Sequence, residues 1–251
     1  MQTRLKAKLD SGQVALGIAL TFPDAATAEY LGTLGFDCVV VNAEHGPLDD
    51  RDLQAIAMAC DLVNCASMLR IDAEPALLER YIHLGVTGIQ VPRVQSAEQV
   101  RRVVDAVKFP PHGHRGIGNS RASGYGVWKE GLQAQMAAGN ERTMVMVQIE
   151  DRTGIAALPE IAAIPEVDAV LVGQFDLSSD LGVPGEIDHP TVVEALDGIF
   201  RMAIEAGKPV GLGASTAAQI EQGVARGAVY LMTSLSACLK AGAAELQRAL
   251  P

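Results

Sequence analysis

Basic residues are in the minority in this 251-residue sequence, where 20 lysines and arginines stand against 30 aspartates and glutamates. The formal net charge is −10, and no basic run is longer than Arg101-Arg102. Affinity for nucleic acid depends on basic side chains that neutralise phosphates, so we expect no nucleic-acid partner. An anionic substrate would need local positive charge, from a few arginines or a metal ion, because the overall charge repels it.

Long apolar segments are also missing, and so is any cysteine motif. No run approaches the roughly 20 apolar residues that span a bilayer, and the N-terminal segment lacks the apolar centre of a signal peptide. The four cysteines form no C-x-x-C pair, and because their neighbours are apolar we predict buried, reduced thiols at Cys38, Cys60, Cys65 and Cys238. These features predict a soluble cytoplasmic protein without a membrane partner.

Short apolar runs alternate with segments of helical periodicity along the whole chain, of which 49% is hydrophobic. We predict eight strands, over residues 14–20, 36–41, 66–71, 87–91, 143–149, 167–172, 208–212 and 228–233. Strict alternation of strands and helices is typical of a parallel (β/α)8 barrel rather than an open doubly wound sheet. Residues 1–251 are therefore expected to form a single TIM-barrel domain.

Three segments depart from this rhythm. Residues 109–142 contain Pro110, Pro111, five glycines before Trp128 and a helix predicted over residues 127–138. Because loops this long are uncommon unless they are functional, we expect this extended segment after strand four to cover the catalytic mouth or to contact another subunit. Residues 177–190 are predicted to be a loop that contains one turn. The last helix, residues 236–250, is apolar on more than one face, and its own barrel is the expected partner.

Polar residues collect where four of the predicted strands end. Strand two is followed by Asn42-Ala43-Glu44-His45, strand three ends at Arg70, strand five ends near Gln148 and Glu150, and strand six leads to Asp176. The C-terminal ends of barrel strands carry the active site in enzymes of this fold. The opposite rim shows no comparable collection in the sequence, so we interpret this one as the active site.

Two of these residues, Glu150 and Asp176, are carboxylates without a cysteine or a His-x-x-His spacing nearby. An oxygen-only set of ligands suits Mg²⁺ or Mn²⁺ better than a structural zinc. A 2-oxo acid chelates such an ion through its carboxylate and keto oxygens, and the ion then stabilises an enolate as a Lewis acid. Arg70 would add a second positive charge, and His45 is able to move protons near neutral pH.

Five stretches resemble the HpcH/HpaI aldolase family of class II pyruvate aldolases: V-V-N-A-E-H-G-P-L, V-P-R-V-Q-S-A-E-Q, P-P-H-G-H-R-G-I-G, V-Q-I-E and G-Q-F-D-L-S-S-D-L-G. The resemblance runs from about residue 6 to the C-terminus. It implies reversible aldol cleavage of a 4-hydroxy-2-oxo acid to pyruvate, or a related 2-oxo acid, and an aldehyde, with Mg²⁺, Mn²⁺ or Co²⁺. It also implies a homohexamer, a trimer of dimers, in which subunits exchange the last helix.

By motif position, the same resemblance implies roles for individual residues. Glu150 and Asp176 would be the metal ligands, His45 the acid/base, and Arg70 the group that holds the keto oxygen. Glu44 would orient the waters of the site.

The resemblance also implies how the substrate is bound. Gln148 and Gly173 would line the substrate pocket, and the backbone N–H groups of Phe175 and Asp176 would receive the pyruvate carboxylate.

This chain departs from the family pattern at two of these places. Many members have Asp where this chain has Asn42, and an amide cannot stabilise imidazolium as a carboxylate does, so we expect His45 to be tuned differently. Many members read G-P-[AS]-D where this chain has Gly-Gln-Phe-Asp, so the bulk of Phe175 is expected to alter which 2-oxo acid fits. His83 lies where relatives carry an acidic residue that reaches a neighbouring subunit, although a surface histidine explains the position equally well.

Several other functions remain open. A Schiff-base aldolase needs a lysine inside the barrel, but the only lysine that touches a strand, Lys208, lies at the wrong rim. A citrate-lyase-β-like acyl-CoA lyase would use the loop at residues 110–119, with Arg115, for the CoA phosphates. Gly211, Gly213 and Ser215 follow strand seven, where many barrels bind a phosphate group, so a phosphorylated substrate is a further alternative. These glycines are equally well explained if they only make room at the mouth of the barrel. A non-catalytic oxo-acid-binding barrel is the remaining alternative.

Overall fold

The computed structural model describes residues 3–248 and residue 250, in which eight parallel strands close into a barrel in chain order. The strands are β1 (Ala15–Leu20), β2 (Cys38–Asn42), β3 (Ala66–Arg70), β4 (Gly88–Val91), β5 (Met144–Ile149), β6 (Ala169–Val172), β7 (Val210–Gly213) and β8 (Tyr230–Ser234). Each lies within two residues of its predicted bounds. The predicted (β/α)8 barrel is confirmed.

Helices connect the strands and surround the barrel. They are α1 (Arg4–Asp10), α2 (Ala25–Thr33), α3 (Asp50–Leu62), α4 (Pro75–Leu84), α5 (Ala97–Val107), α6 (Leu132–Arg142), α7 (Arg152–Ala162), α8 (Gln174–Asp180), α9 (Pro190–Glu205), α10 (Ala217–Arg226) and α11 (Leu235–Arg248). Side chains cap several N-termini: those of Asp24, Ser96 and Asp151 each accept a first-turn backbone N–H. No helix in the described residues is long and apolar enough to cross a bilayer.

Alternation along the strands divides the core into two layers. One side of each strand packs against the outer helices, and the other fills the barrel interior with large side chains such as Met68, Met146 and Tyr230. Leu5 and Leu9 of α1 belong to this interior cluster. Helix α1 therefore covers the end of the barrel where the strands begin, and the carboxyl end is left for a site.

The end covered by α1 carries its own charged network, so the expectation that this rim lacks polar groups is wrong. Buried Asp37 pairs with Arg4 at 2.9 Å and with Lys8 at 2.8 Å, and Asp168 pairs with Lys6 at 2.8 Å. These carboxylates join α1 to the barrel. A collection of polar residues is therefore not by itself the mark of the catalytic rim, and the carboxyl end differs from this one in that α1 does not cover it.

The segment between α5 and β5 lies at this same covered end. Arg121, in a 3-10 helix (Arg121–Gly126), and Arg142, the last residue of α6, both pair with Asp61 near the end of α3. The expectation that residues 109–142 cover the catalytic mouth is therefore wrong, and the helix predicted from residue 127 begins at Leu132. A contact of this segment with another subunit stays a prediction.

Helix α11 projects from the barrel instead of packing on it. None of its residues is buried, its main contacts are with β8 and β1, and Leu239 and Leu246 are exposed. The expectation that the barrel covers its apolar positions is wrong. So is the prediction of a buried thiol at Cys238, which is exposed, whereas the other three cysteines are buried.

Candidate active site

Side chains from β2, β3 and β4 meet at the carboxyl end of the barrel. The strand register places Asn42 beside Arg70, and Arg70 beside Gln90. Because neighbouring positions in parallel strands point to the same face of a sheet, these three residues form one level at the mouth. Glu44 and His45 follow β2 directly, so the loop returns over this level.

Glu44 is nearly buried between two arginines. Its Oε2 lies 2.8 Å from Nη2 of Arg70, and its Oε1 lies 3.0 Å from Nη2 of Arg93. A buried carboxylate is costly unless cations and donors compensate it, and here both oxygens have a cation. The Nε of Arg70 is buried and has no hydrogen-bond partner within the described residues. This donor is therefore available to a ligand at the mouth.

His45 stands at the edge of the site, with its side chain 66% exposed. The Oδ1 of Asn42 accepts the backbone N–H of Glu44 at 3.0 Å, and this turns the Asn42 amide nitrogen toward the Nδ1 of His45, 3.5 Å away. An amide nitrogen only donates, so in this contact Nδ1 is the acceptor and the ring proton lies on Nε2. The nearest carboxylate oxygen, from Glu44, is 3.6 Å from Nδ1. The ring is thus held loosely and is free to exchange protons with a ligand.

Glu150 is the most deeply buried acid of the site, at 3% exposure. It follows β5 two residues after Gln148, so the two side chains point to the same side of the strand. The carboxylate accepts the backbone N–H of Arg93 at 2.7 Å and an N–H of the Gln148 amide. Burial raises the pKa of Glu150, these hydrogen bonds counteract the rise, and the charge of Asp176 adds to it.

A chain of amides leads from β4 to Glu150. Gln90 Nε2 donates to Gln148 Oε1 at 3.0 Å, and Gln148 Nε2 donates to the Glu150 carboxylate. The carboxylate can only accept, so both amides must point in this direction. The remaining Oε1 of Gln90 is buried and unpartnered within the described residues. Together with the Arg70 Nε, it marks this rim as built to meet a further group.

Gly173 leaves room for the carboxylate of Glu150. A Cβ at position 173 would lie 2.2 Å from Oε2 of Glu150, so any other residue would displace the carboxylate. Helix α8 begins at the next residue, earlier than the turn predicted within residues 177–190, and Asp176 and Phe175 lie in its first turn. The Phe175 side chain is 68% exposed. The N–H groups of this turn precede the first bond of the helix, from Leu177 N–H to the Gly173 carbonyl at 2.9 Å.

The donor set at this rim fits a hard divalent cation. The described residues contain no group of three or more His, Cys, Asp and Glu side chains that could hold a metal. Glu150 and Asp176 are close enough for the charge of one to raise the pKa of the other. Mg²⁺ characteristically binds through one or two carboxylates and keeps several positions for water and substrate. Two carboxylates beside unpartnered polar atoms match that pattern.

Two residues of this site were missing from the sequence-based candidates. Gln90 anchors the amide chain, and Arg93 contacts both Glu44 and Glu150. Both follow from the same signal as the others, because Gln90 is the penultimate residue of β4 and Arg93 follows this strand within the motif V-P-R-V. The predicted residues that the structure brings to this rim are Asn42, Glu44, His45, Arg70, Gln148, Glu150, Gly173, Phe175 and Asp176.

Lys208 and Arg115, on which the competing functions depend, lie away from this site. The Nζ of Lys208 donates to the carbonyls of Ile164 at 2.8 Å and Val167 at 2.9 Å, at the end where β6 and β7 begin. Arg115 is 3% exposed and lies 4.5 Å from the centre of the Phe109 ring. A buried guanidinium cannot bind the phosphates of CoA in solvent.

His83 and a large cleft also lie outside the site. His83 contacts Ser120 at 2.9 Å and Glu79 at 3.6 Å, so within this chain it joins α4 to the loop. A cleft of about 600 Å³ opens at the covered end of the barrel, between α6 and the start of β6. Two ion pairs lie in its lining, Lys6 with Asp168 at 2.8 Å and His112 with Glu166 at 2.9 Å. The cleft with this volume is therefore separate from the carboxyl end, where the buried, unpartnered Nε of Arg70 and Oε1 of Gln90 lie.

The chain is similar to known proteins over most of its length. The family model described as HpcH/HpaI aldolase/citrate lyase matches residues 20–235. The chain is 41% identical over 221 residues to the 2-dehydro-3,6-dideoxy-6-sulfogluconate aldolase of Pseudomonas putida, covering 85% of both proteins. It is 35% identical over 210 residues to the hydroxypyruvate/pyruvate aldolase of Chromohalobacter salexigens, covering 82% of this chain and 81% of the relative. The crystal structure of an HpcH/HpaI aldolase from Desulfitobacterium hafniense superposes with a TM-score of 0.90 at 30% identity, over 99% of this chain and 98% of the other.

Proposed function

The chain belongs to the HpcH/HpaI aldolase/citrate lyase family, and we propose that it cleaves a 4-hydroxy-2-oxo acid reversibly to pyruvate, or a related 2-oxo acid, and an aldehyde. Its relatives over most of its length are aldolases, so it is a carbon–carbon lyase. The names of these relatives, a dehydro-dideoxy sugar acid aldolase and a pyruvate aldolase, support the substrate class. The observation that carries the proposal is the buried, unpartnered Nε of Arg70 beside Glu150 and Glu44.

Arg70 would bind the oxo oxygen of the substrate. Its Nη2 is held by Glu44 at 2.8 Å, which fixes the guanidinium and leaves Nε to donate. Aldol cleavage next to an oxo group builds negative charge on that oxygen in the transition state. A fixed cation at this position stabilises that charge without having to reorganise, which is the most effective form of electrostatic catalysis.

His45 would move the proton of the substrate hydroxyl. A neutral imidazole is the base that removes this proton during cleavage and returns it during the aldol addition. Because the amide of Asn42 lies near Nδ1 without a charge, the ring depends on Glu44, 3.6 Å away, for electrostatic support when it becomes protonated. The exposure of the ring leaves it accessible to an aldehyde that approaches from solvent.

Glu150 and Asp176 would hold a divalent metal ion, Mg²⁺, Mn²⁺ or Co²⁺. Such an ion supplies Lewis-acid polarisation of the oxo group. The chain fixes the first carboxylate through the Arg93 amide and Gln148 and carries the second on the first turn of α8. The first-turn N–H groups of Phe175 and Asp176 would receive the substrate carboxylate, with Gln148 and Gly173 lining the pocket.

A screen of 4-hydroxy-2-oxo acids tests the proposal, with pyruvate release coupled to lactate dehydrogenase. We expect pyruvate release from at least one member, complete loss of activity in EDTA, and recovery when Mg²⁺ or Mn²⁺ is added. Borohydride in the presence of pyruvate should leave the protein mass unchanged. A covalent adduct, or full activity in EDTA, would overturn the metal-dependent mechanism in favour of a Schiff base.

We also propose that the protein is a hexamer, a trimer of dimers, in which α11 of one copy packs on another. In the described part of the chain α11 has no buried residue, and Leu239 and Leu246 are exposed on it. Exposed apolar positions on a projecting helix are costly in water unless a second surface covers them. Light scattering of the full chain should give the mass of six copies, and L239E together with L246E should lower it. A monomeric mass for the unmodified chain would contradict this assembly.

A further inference from the structure

Arg93 has a backbone conformation that residues other than glycine rarely adopt. Its φ is +48°, and the other residues besides glycine with positive φ in the described chain are Asn64 and Tyr125. Asparagine tolerates this left-handed region because of its short polar side chain, but arginine has no such advantage. Strained residues of this kind persist only where the surrounding contacts hold them, and they cluster at functional sites.

The backbone contact explains why the strain is kept. The Arg93 N–H donates to Oε1 of Glu150 at 2.7 Å. Pro92, the residue before it, has no N–H of its own, so Arg93 supplies the amide nearest the end of β4 that can reach this carboxylate. The left-handed turn thus aims a backbone donor at one of the two acids that would hold the metal.

The side chain of the same residue reaches the other half of the site. Its Nη2 lies 3.0 Å from Oε1 of Glu44 and 3.1 Å from Oδ1 of Asp72. The second oxygen of Glu44 pairs with Arg70 and is the carboxylate oxygen nearest to His45. Arg93 therefore fixes the residue that in turn fixes Arg70. Its side chain is 58% exposed, so it reaches this buried acid from the rim.

We propose that Arg93 is a positioning residue that joins the two halves of the site, with its amide holding Glu150 and its guanidinium holding Glu44. It acts through these two acids and not by touching the reacting atoms. The inference rests on the proposed function, because it assigns Arg93 a task in the aldol chemistry of this site. It predicts that the two contacts can be separated, since one belongs to the backbone and the other to the side chain.

Glycine at this position separates them. Arg93→Gly keeps the N–H and adopts positive φ without cost, so it should leave Glu150 in place and remove only the guanidinium. Arg93→Lys keeps a cation for Glu44. Arg102→Met is the matched control, because Arg102 lines the same surface depression as Arg93, is also 58% exposed and pairs with Glu98 at 3.2 Å. It contacts neither half of the site within the described residues.

Two measurements decide the question. The first is the rate at which the methyl protons of pyruvate exchange with deuterium, followed by NMR, which requires no aldehyde. The second is the Kd for Mn²⁺, followed by electron paramagnetic resonance. For Arg93→Gly we expect the exchange rate to fall about tenfold, as is typical when a residue that orients the reacting groups is lost. Its Kd for Mn²⁺ should stay within about twofold of the unmodified protein, because the backbone donor is unchanged.

Added guanidinium ion should restore part of the exchange rate of Arg93→Gly, and Arg93→Lys should retain most of it. Arg102→Met should match the unmodified protein. An Arg93→Gly variant that exchanges as fast as the unmodified protein, or that loses Mn²⁺ binding and is not rescued by guanidinium, would overturn the inference. An unmodified protein that catalyses no exchange with any divalent metal would instead overturn the proposed function, and the role of Arg93 with it.

Discussion

Replacing Arg70 with alanine is expected to lower kcat for pyruvate release by about 10³-fold, with a smaller rise in KM. The guanidinium is the only cation of the described residues that the structure places beside Glu44 with a buried, unpartnered donor. That donor would bind an oxygen whose negative charge is greatest in the transition state. Loss of the donor should therefore lower kcat. Steady-state kinetics with the lactate dehydrogenase couple measure both constants.

The control for this variant concerns Glu44, the carboxylate that Arg70 pairs with in the unmodified protein. Glu44 is nearly buried, and without Arg70 it loses the closer of its two cations, so Arg70→Ala alone should also lower the melting temperature. Arg70→Ala combined with Glu44→Gln removes the unpaired charge and should restore stability without restoring kcat. A rise in KM alone, with kcat unchanged, would mean that Arg70 only binds the ground state, as expected of a non-catalytic oxo-acid binder.

The strands and most of the site could be predicted because both have local signals. A strand that is buried on both faces has a short, continuous apolar sequence, and the residue at which this sequence ends lies at the carboxyl rim. Arg70 is the last residue of β3, and Glu150 directly follows β5. In a parallel barrel the strand ends meet at one rim regardless of the conformation of the loops. The sequence alone was therefore enough to predict that these residues lie together.

The errors concern contacts between residues that are distant in sequence. In the sequence, Asp37 and Asp168 are single acidic residues at the start of strands. Their lysine partners lie in α1, 29 and 162 residues away. Nothing local shows that such a carboxylate is already paired. Both rims are polar, so polarity in the sequence does not separate them, and pairing is a property of the folded chain.

Two local structures at the mouth could also not be predicted from sequence patterns. Helix α8 has only seven residues and includes serine and aspartate, which favour caps and turns over helix interiors. Its start is set by Gly173, whose carbonyl accepts the Leu177 N–H and whose missing side chain leaves room for Glu150. The positive φ of Arg93 depends likewise on an acid 57 residues later.

Replacing Glu150 with glutamine is expected to lower kcat/KM by roughly 10³-fold and to weaken Mn²⁺ binding wherever the pH leaves the carboxylate ionised. The amide has nearly the shape of the carboxylate but lacks its charge and one acceptor oxygen. The carboxylate now accepts from the Arg93 N–H and from Gln148, so one of these donors would face the new NH₂ group. Glu74→Gln is the control, because Glu74 is an exposed acid at the same rim. It should leave activity and Mn²⁺ affinity unchanged.

The pH dependence of Mn²⁺ binding checks the same carboxylate without a mutation. Burial raises the pKa of Glu150 above its ordinary value of 4.5, and a proton on the carboxylate competes with a metal ion. Affinity should therefore be full above the raised pKa and should fall as the pH drops through it, starting at a higher pH than for an exposed glutamate. In Glu150→Gln this part of the pH dependence should disappear. If the variant bound Mn²⁺ as tightly as the unmodified protein but remained inactive, Glu150 would be a proton-transfer group and not a metal ligand.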